Sequence, residues 1–84
     1  MLATEMKKGQ KAMVRSFGRG RGMERRLFEM GIMPGTEIEL LEKHPFKGPL
    51  LFQVGQARIV LGRNIAAHLE VEITEISLPS HFGS

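Results

Sequence analysis

Four arginines, Arg19, Arg21, Arg25 and Arg26, fall within eight residues, and glycines separate the first pair in the run Gly18-Arg19-Gly20-Arg21-Gly22. Guanidinium forks make paired hydrogen bonds to carboxylates and phosphates, so this cluster suits recognition of an acidic surface or a phosphate group. The rest of the reactive inventory is thin. The chain has no Cys, Trp, Tyr or Asp, and its serines and three histidines (His44, His68 and His81) are read as lying in separate loops or in the tail. A nucleophile needs a base within hydrogen-bond reach and a third group to orient that base. No such constellation is suggested, and the sequence points away from an enzyme. Without thiolates there is neither a disulfide framework nor a Cys-based metal site. Glu42 with His44, and His68 with Glu70 and Glu72, have spacings that share a strand face. Those spacings equally describe an ordinary solvated strand, with nothing to orient a ligand from behind. The expectation is therefore no metal site and no bound cofactor.

The charge is unevenly distributed. Residues 1–26 hold eight Lys/Arg against two Glu, whereas residues 27–84 hold four Lys/Arg against seven Glu. A basic front on a mildly acidic remainder favours an acidic or phosphate-bearing partner. Two aromatics add to this front. Phe28 lies off the apolar stripe of its segment, and Phe46 sits at the tip of a Pro-flanked loop. Exposed aromatics beside arginine match the composition of interface hot spots. The candidate partner-binding residues are thus Arg19, Arg21, Arg25, Arg26, Phe28, Phe46 and Leu51.

The elements that must position these residues are short. Eighty-four residues make a single domain with one thin core. No apolar run approaches the roughly 20 residues of a membrane span, the N-terminus lacks signal-peptide character, and the absence of cysteine suits the cytosol. Residues 11–17 read as a strand with Ala12 and Val14 inward. Met23, Leu27 and Met30 recur at i, i+4, i+7, a helix of about two turns, and Met33 is read as core with them. Gly31 suits the left-handed position that closes the helix, and Pro34-Gly35 makes a turn.

Residues 36–40 alternate as a strand, with Leu41 marking a bulge or bend. Residues 44–49 form a loop. Leu50, Phe52 and Val54 then share one strand face, and Gly55-Gln56 turns the chain into a strand with Ala57, Ile59 and Leu61 inward. Asn64 is read as the cap of a helical turn over residues 65–68, and Leu69, Val71 and Ile73 face inward from the last strand. Five antiparallel strands suggest a small closed barrel, since closure removes exposed edges. Residues 1–76 form the domain, and 77–84 read as a loose tail.

One stretch carries a resemblance. Arg25-Arg26-Leu27-Phe28-Glu29-Met30-Gly31-Ile32-Met33-Pro34-Gly35-Thr36-Glu37-Ile38 resembles the signature of the ferrous-iron-transport protein A (FeoA) family. That signature is a basic helix followed by Met-Gly, an apolar residue, a variable position, Pro-Gly-Thr and an acidic-apolar strand. Lys8-Gly9-Gln10 upstream, Pro45, Gly48 and Pro49 in the second hairpin loop, and Arg58–Val71 extend the likeness over roughly residues 6–75. The same domain occurs fused to metal-dependent repressors of the diphtheria-toxin-repressor type, but no winged-helix region precedes it here. The resemblance implies a mainly β fold, an SH3-like five-stranded barrel with a short α-helix inserted after the first strand. It also implies a small cytoplasmic accessory of bacterial ferrous iron uptake, without catalysis. The implied partner is the membrane iron permease with a cytosolic GTPase domain (FeoB), which would hold the protein at the inner face of the membrane.

Two alternatives use the same residues. A nucleic-acid-binding barrel would use the basic front, but single-strand platforms need stacked aromatics, and Phe17, Phe28 and Phe46 do not share a strand face, so nucleic acid is disfavoured. A weak transition-metal sensor or chaperone would use the histidines.

Overall fold

The computed structural model describes residues 1–18 and 21–75. A 3-10 turn at Ala3–Glu5 is followed by β1 (Lys11–Phe17), α1 (Arg21–Glu29), β2 (Glu37–Lys43), β3 (Leu50–Val54), β4 (Ala57–Leu61), α2 (Arg63–Ala66) and β5 (Leu69–Glu75). The strands form one antiparallel sheet in the order β4-β3-β2-β1-β5. The fold is mainly β with one short helix after the first strand, as expected. The expected closure is not found: β4 and β5 sit at the two ends of the order and do not pair. The sheet is open rather than sealed among the described residues. Pairing shifts register between Leu40 and Glu42, which places the expected irregularity at Leu41, and shifts twice along β1 and β5.

Alternation explains the core. Ala12 and Val14 of β1, Ile38 and Leu40 of β2, Leu50, Phe52 and Val54 of β3, Leu61 of β4, and Leu69 and Val71 of β5 are buried. Leu27 of α1 covers them, with Met23 and Met30 packed at the margin. Burying a side chain such as Leu or Phe stabilises by roughly 1.5–3 kcal/mol, and this shared interior is what makes so short a chain fold.

Four expectations need correction. Ala57 is exposed and Ile59 only half-buried, because β4 is an end strand and its outer half lies beyond the cover of the core. Met33 is 39% exposed rather than core, since it opens the turn after α1 and the helical stripe stops before it. The helix begins at Arg21, so the glycine-rich run enters it and Gly22 is helical. The short α2 is preceded by Gly62, with no side-chain cap, and Asn64 lies inside it.

The N-terminal segment contributes more than the sequence suggested. Ala3 and Met6 are fully buried, and Lys43 Nζ donates to the Thr4 and Met6 carbonyls at 2.6 and 3.1 Å.

Candidate partner-binding face

The basic helix is framed at its C-terminal end. Ile32 N–H donates to the Leu27 carbonyl at 2.8 Å and Gly31 N–H to Phe28 at 2.9 Å, with Gly31 at φ +85°. These are the two bonds of a Schellman closure, and the buried Leu27 and Ile32 supply its apolar contact. The next turn has Pro34 and Gly35 at its centre, with Gly35 at φ +94° and Thr36 N–H bonded to the Met33 carbonyl at 2.9 Å, as a type II turn requires. Gly35 N–H and Val14 N–H then bond to Val14 and Thr36 carbonyls, each at 2.8 Å. The turn that follows the helix is thus tied to β1.

At the other end of β1, Gly18 N–H donates to the His68 carbonyl at 2.6 Å. A Cβ on Gly18 would stand 3.0 Å from the His68 Cβ, so a larger residue would push β1 away from α2. The cleft between α1 and α2, about 510 Å³, is lined by Gly22, Met23, Arg26, Asn64 and Ile65. Met23 and Ile65 give it an apolar floor, and Arg26 stands at its edge.

The sequence-predicted residues fall into two groups. Arg25, Arg26 and Phe28 are all exposed on α1, Phe28 by 62%. Arg26 and Phe28 lie about 200° apart around the helix, so only Arg26 faces the cleft and Phe28 borders the opposite flank. Phe46 and Leu51 belong to the β2–β3 hairpin. Phe46 is 98% exposed, and the half-buried Leu51 pairs with Val60 of β4. Arg21 opens α1, and Arg19 lies outside the described residues.

The link between the groups is Arg63 of α2, which sequence reasoning did not single out. Its Nε donates to the Gly48 carbonyl at 3.1 Å and its Nη2 to the His44 carbonyl at 2.7 Å. Thus α2 touches the α1 cleft through Asn64 and Ile65 and braces the Phe46 loop through Arg63.

Electrostatics separates these cations from Lys8 and Arg15 of the basic front. Arg15 pairs with Glu72, and Lys8 with Glu42 at 3.0 Å. Folding therefore matches part of the positive front with the acidic half of the chain. Arg25, Arg26 and Lys47 make no ion pair or side-chain hydrogen bond among the described residues. They remain available to an external anion.

The histidines are arranged differently. His68 Nδ1 lies 2.8 Å from the Asn64 carbonyl, a local tie to α2, and His44 flanks the braced loop. Among the described residues no three His, Cys, Asp or Glu converge as a metal site, and no helix is long and apolar enough to cross a membrane. His81 lies outside them.

A family model, the FeoA domain, matches residues 1–73. The chain belongs to the FeoA family. FeoA proteins are linked to ferrous iron transport and are not a known enzyme family. An iron uptake regulatory protein (FeoA) is 32% identical, with 88% of this chain and 97% of that chain covered and a TM-score of 0.82. FeoA of Chlorobium tepidum is 25% identical over 100% of this chain and 80% of that one, with a TM-score of 0.82. The zinc complex of Stenotrophomonas maltophilia FeoA is 32% identical over 86% and 89%, with a TM-score of 0.73. That protein is described as a prokaryotic SH3 domain protein and suggested as a ferrous iron transport activating factor. The SH3-like class expected from the sequence is therefore the class found, with an open sheet in place of a sealed barrel. No curated protein sequence matches the chain.

Proposed function

We propose that this protein is a cytoplasmic accessory of bacterial ferrous iron uptake that binds and modulates the GTPase-coupled membrane iron permease. The observation that carries this reading is that Arg25 and Arg26 have no ion pair or side-chain hydrogen bond among the described residues, on a helix closed at its C-terminal end by the Gly31 and Ile32 backbone bonds, with Arg26 beside an apolar-floored cleft. Lys8 and Arg15 are each paired with one of the protein's own carboxylates, whereas Arg25 and Arg26 are adjacent and have no such partner among the described residues, a surface that an external anion can complete. Carboxylates or bound nucleotide phosphates on a GTPase domain have the planar or tetrahedral oxygens that arginine forks engage. Phe28 stands on the same helix, on the flank away from Arg26. The family link to iron transport and the suggested activating role of a relative support the choice of partner.

The test is a calorimetric titration of the chain into the permease's cytosolic domain. Saturable binding that is lost when Arg25 and Arg26 are both replaced by Glu supports the proposal. Binding that ignores the double substitution places the interface elsewhere on the protein.

A further inference from the structure

The β2–β3 turn combines features that a passive connection would not need. Phe46 and Lys47 are consecutive non-glycine residues with φ of +56° and +65°. L side chains adopt this conformation at a cost, and bulky ones rarely. With Gly48 N–H bonded to the Pro45 carbonyl at 3.2 Å, the two residues occupy the positive-φ pair of a type I′ turn, which Asn-Gly forms with little strain. Burial does not offset the strain, because Phe46 is 98% exposed.

The neighbours hold the turn in place. The half-buried Arg63 forks onto the His44 and Gly48 carbonyls, one on each shoulder. His44 N–H closes the base on the Pro49 carbonyl at 3.2 Å. Gly48 permits an approach that other residues forbid, since a Cβ there would lie 2.8 Å from the His44 Cβ. Strain maintained by surrounding structure is a pointer to function.

We propose that Phe46 is a pre-organised aromatic insert that enters an apolar pocket rimmed by carboxylates on a protein partner, with Arg63 as its positioning residue. This rests on the partner-binding reading above, with the permease's cytosolic domain as the partner. A fixed backbone lowers the ordering cost of entering a shaped cavity, an advantage that a fluid bilayer does not reward. Lys47, beside the ring and without an ion pair among the described residues, supplies the charge that an acidic rim complements. Aromatic anchors in pockets carry a large share of interface affinity.

The experiment titrates the full chain and three variants into the permease's cytosolic domain, with circular dichroism as the control for folding. Phe46→Ala weakens binding at least tenfold. The pair Phe46→Asn with Lys47→Gly, which suits the turn, folds at least as well and loses binding at least as much, since it removes the ring and the charge together. Arg63→Met weakens binding in the wild-type background but adds little in the Phe46→Ala background, because it acts through the ring. A merely structural Arg63 would weaken both backgrounds equally, and that result overturns its positioning role. Wild-type binding with Phe46→Ala equally tight overturns the insert and leaves the arginine surface standing. No binding by wild type overturns both readings. In a parallel arm, binding to phosphatidylglycerol vesicles that depends on Phe46, with domain binding that does not, assigns the ring to the membrane and overturns the protein pocket.

Discussion

Replacing Phe46 by Asn together with Lys47 by Gly is expected to stabilise the protein while changing no core residue. Each non-glycine residue in the left-handed region costs about 1–2 kcal/mol, and both Phe46 and Lys47 occupy it. Asn tolerates that region and Gly adopts it freely, so most of roughly 2–4 kcal/mol of strain is relieved. The new glycine gives back about 1 kcal/mol through the greater freedom of the unfolded chain. Phe46 contributes almost nothing by burial, being 98% exposed, so no hydrophobic term opposes the change. The net gain is about 1–2 kcal/mol. For a domain of this size it raises Tm by roughly 4–16 °C, at about 4–8 °C per kcal/mol. Thermal unfolding followed by far-UV circular dichroism measures it directly. An unchanged or lowered Tm would refute the claim that the turn is strained, and with it the argument that the strain is kept for function.

Two further outcomes follow from the packing. Leu27→Ala removes the buried residue through which α1 covers the sheet and is expected to destabilise by about 2–5 kcal/mol, read as a lower urea midpoint. Gly31→Ala places a Cβ at φ +85° and is expected to cost about 1–2 kcal/mol. Open space surrounds that Cβ position, so the loss is conformational and should appear without any change in the denaturant slope.

Much of the fold was legible because single strands with one buried face write themselves as alternation. Leu50, Phe52 and Val54 are the clearest case, and all three are buried. The Gly31 and Pro34-Gly35 signals were readable for a related reason, since few residues meet those backbone demands. What failed was information that is not local. Ala57 alternates correctly, yet its burial depends on β4 lying at the end of the sheet. Met33 belongs to the helix by spacing, but the chain has already turned. Ala3 and Met6 are too few to show a period, although both are buried.

The candidate site divides in the same way. The arginine cluster and the exposure of Phe28 and Phe46 could be read directly. The bracing by Arg63 could not, because its partners Gly48 and His44 lie 15 and 19 positions away, and no motif announces a fork onto backbone carbonyls. Nor does Phe46-Lys47 carry the Asn or Gly that normally signals a left-handed turn. The pairing of Lys8 and Arg15 with Glu42 and Glu72 shows that a basic stretch of sequence is not yet a basic surface. Folding decides which cations are left over.

The central claim is that those leftover arginines bind the cytosolic domain of the iron permease. Its most direct test is the dissociation constant of the full chain for that domain, measured by calorimetry for the wild type and for the Arg25→Glu, Arg26→Glu double variant. The account predicts a single saturable binding event that the charge reversal weakens at least tenfold, or about 1.4 kcal/mol, with the thermal midpoint of the variant unchanged. Absence of binding by the wild type, or equal affinity of the two proteins, would contradict it.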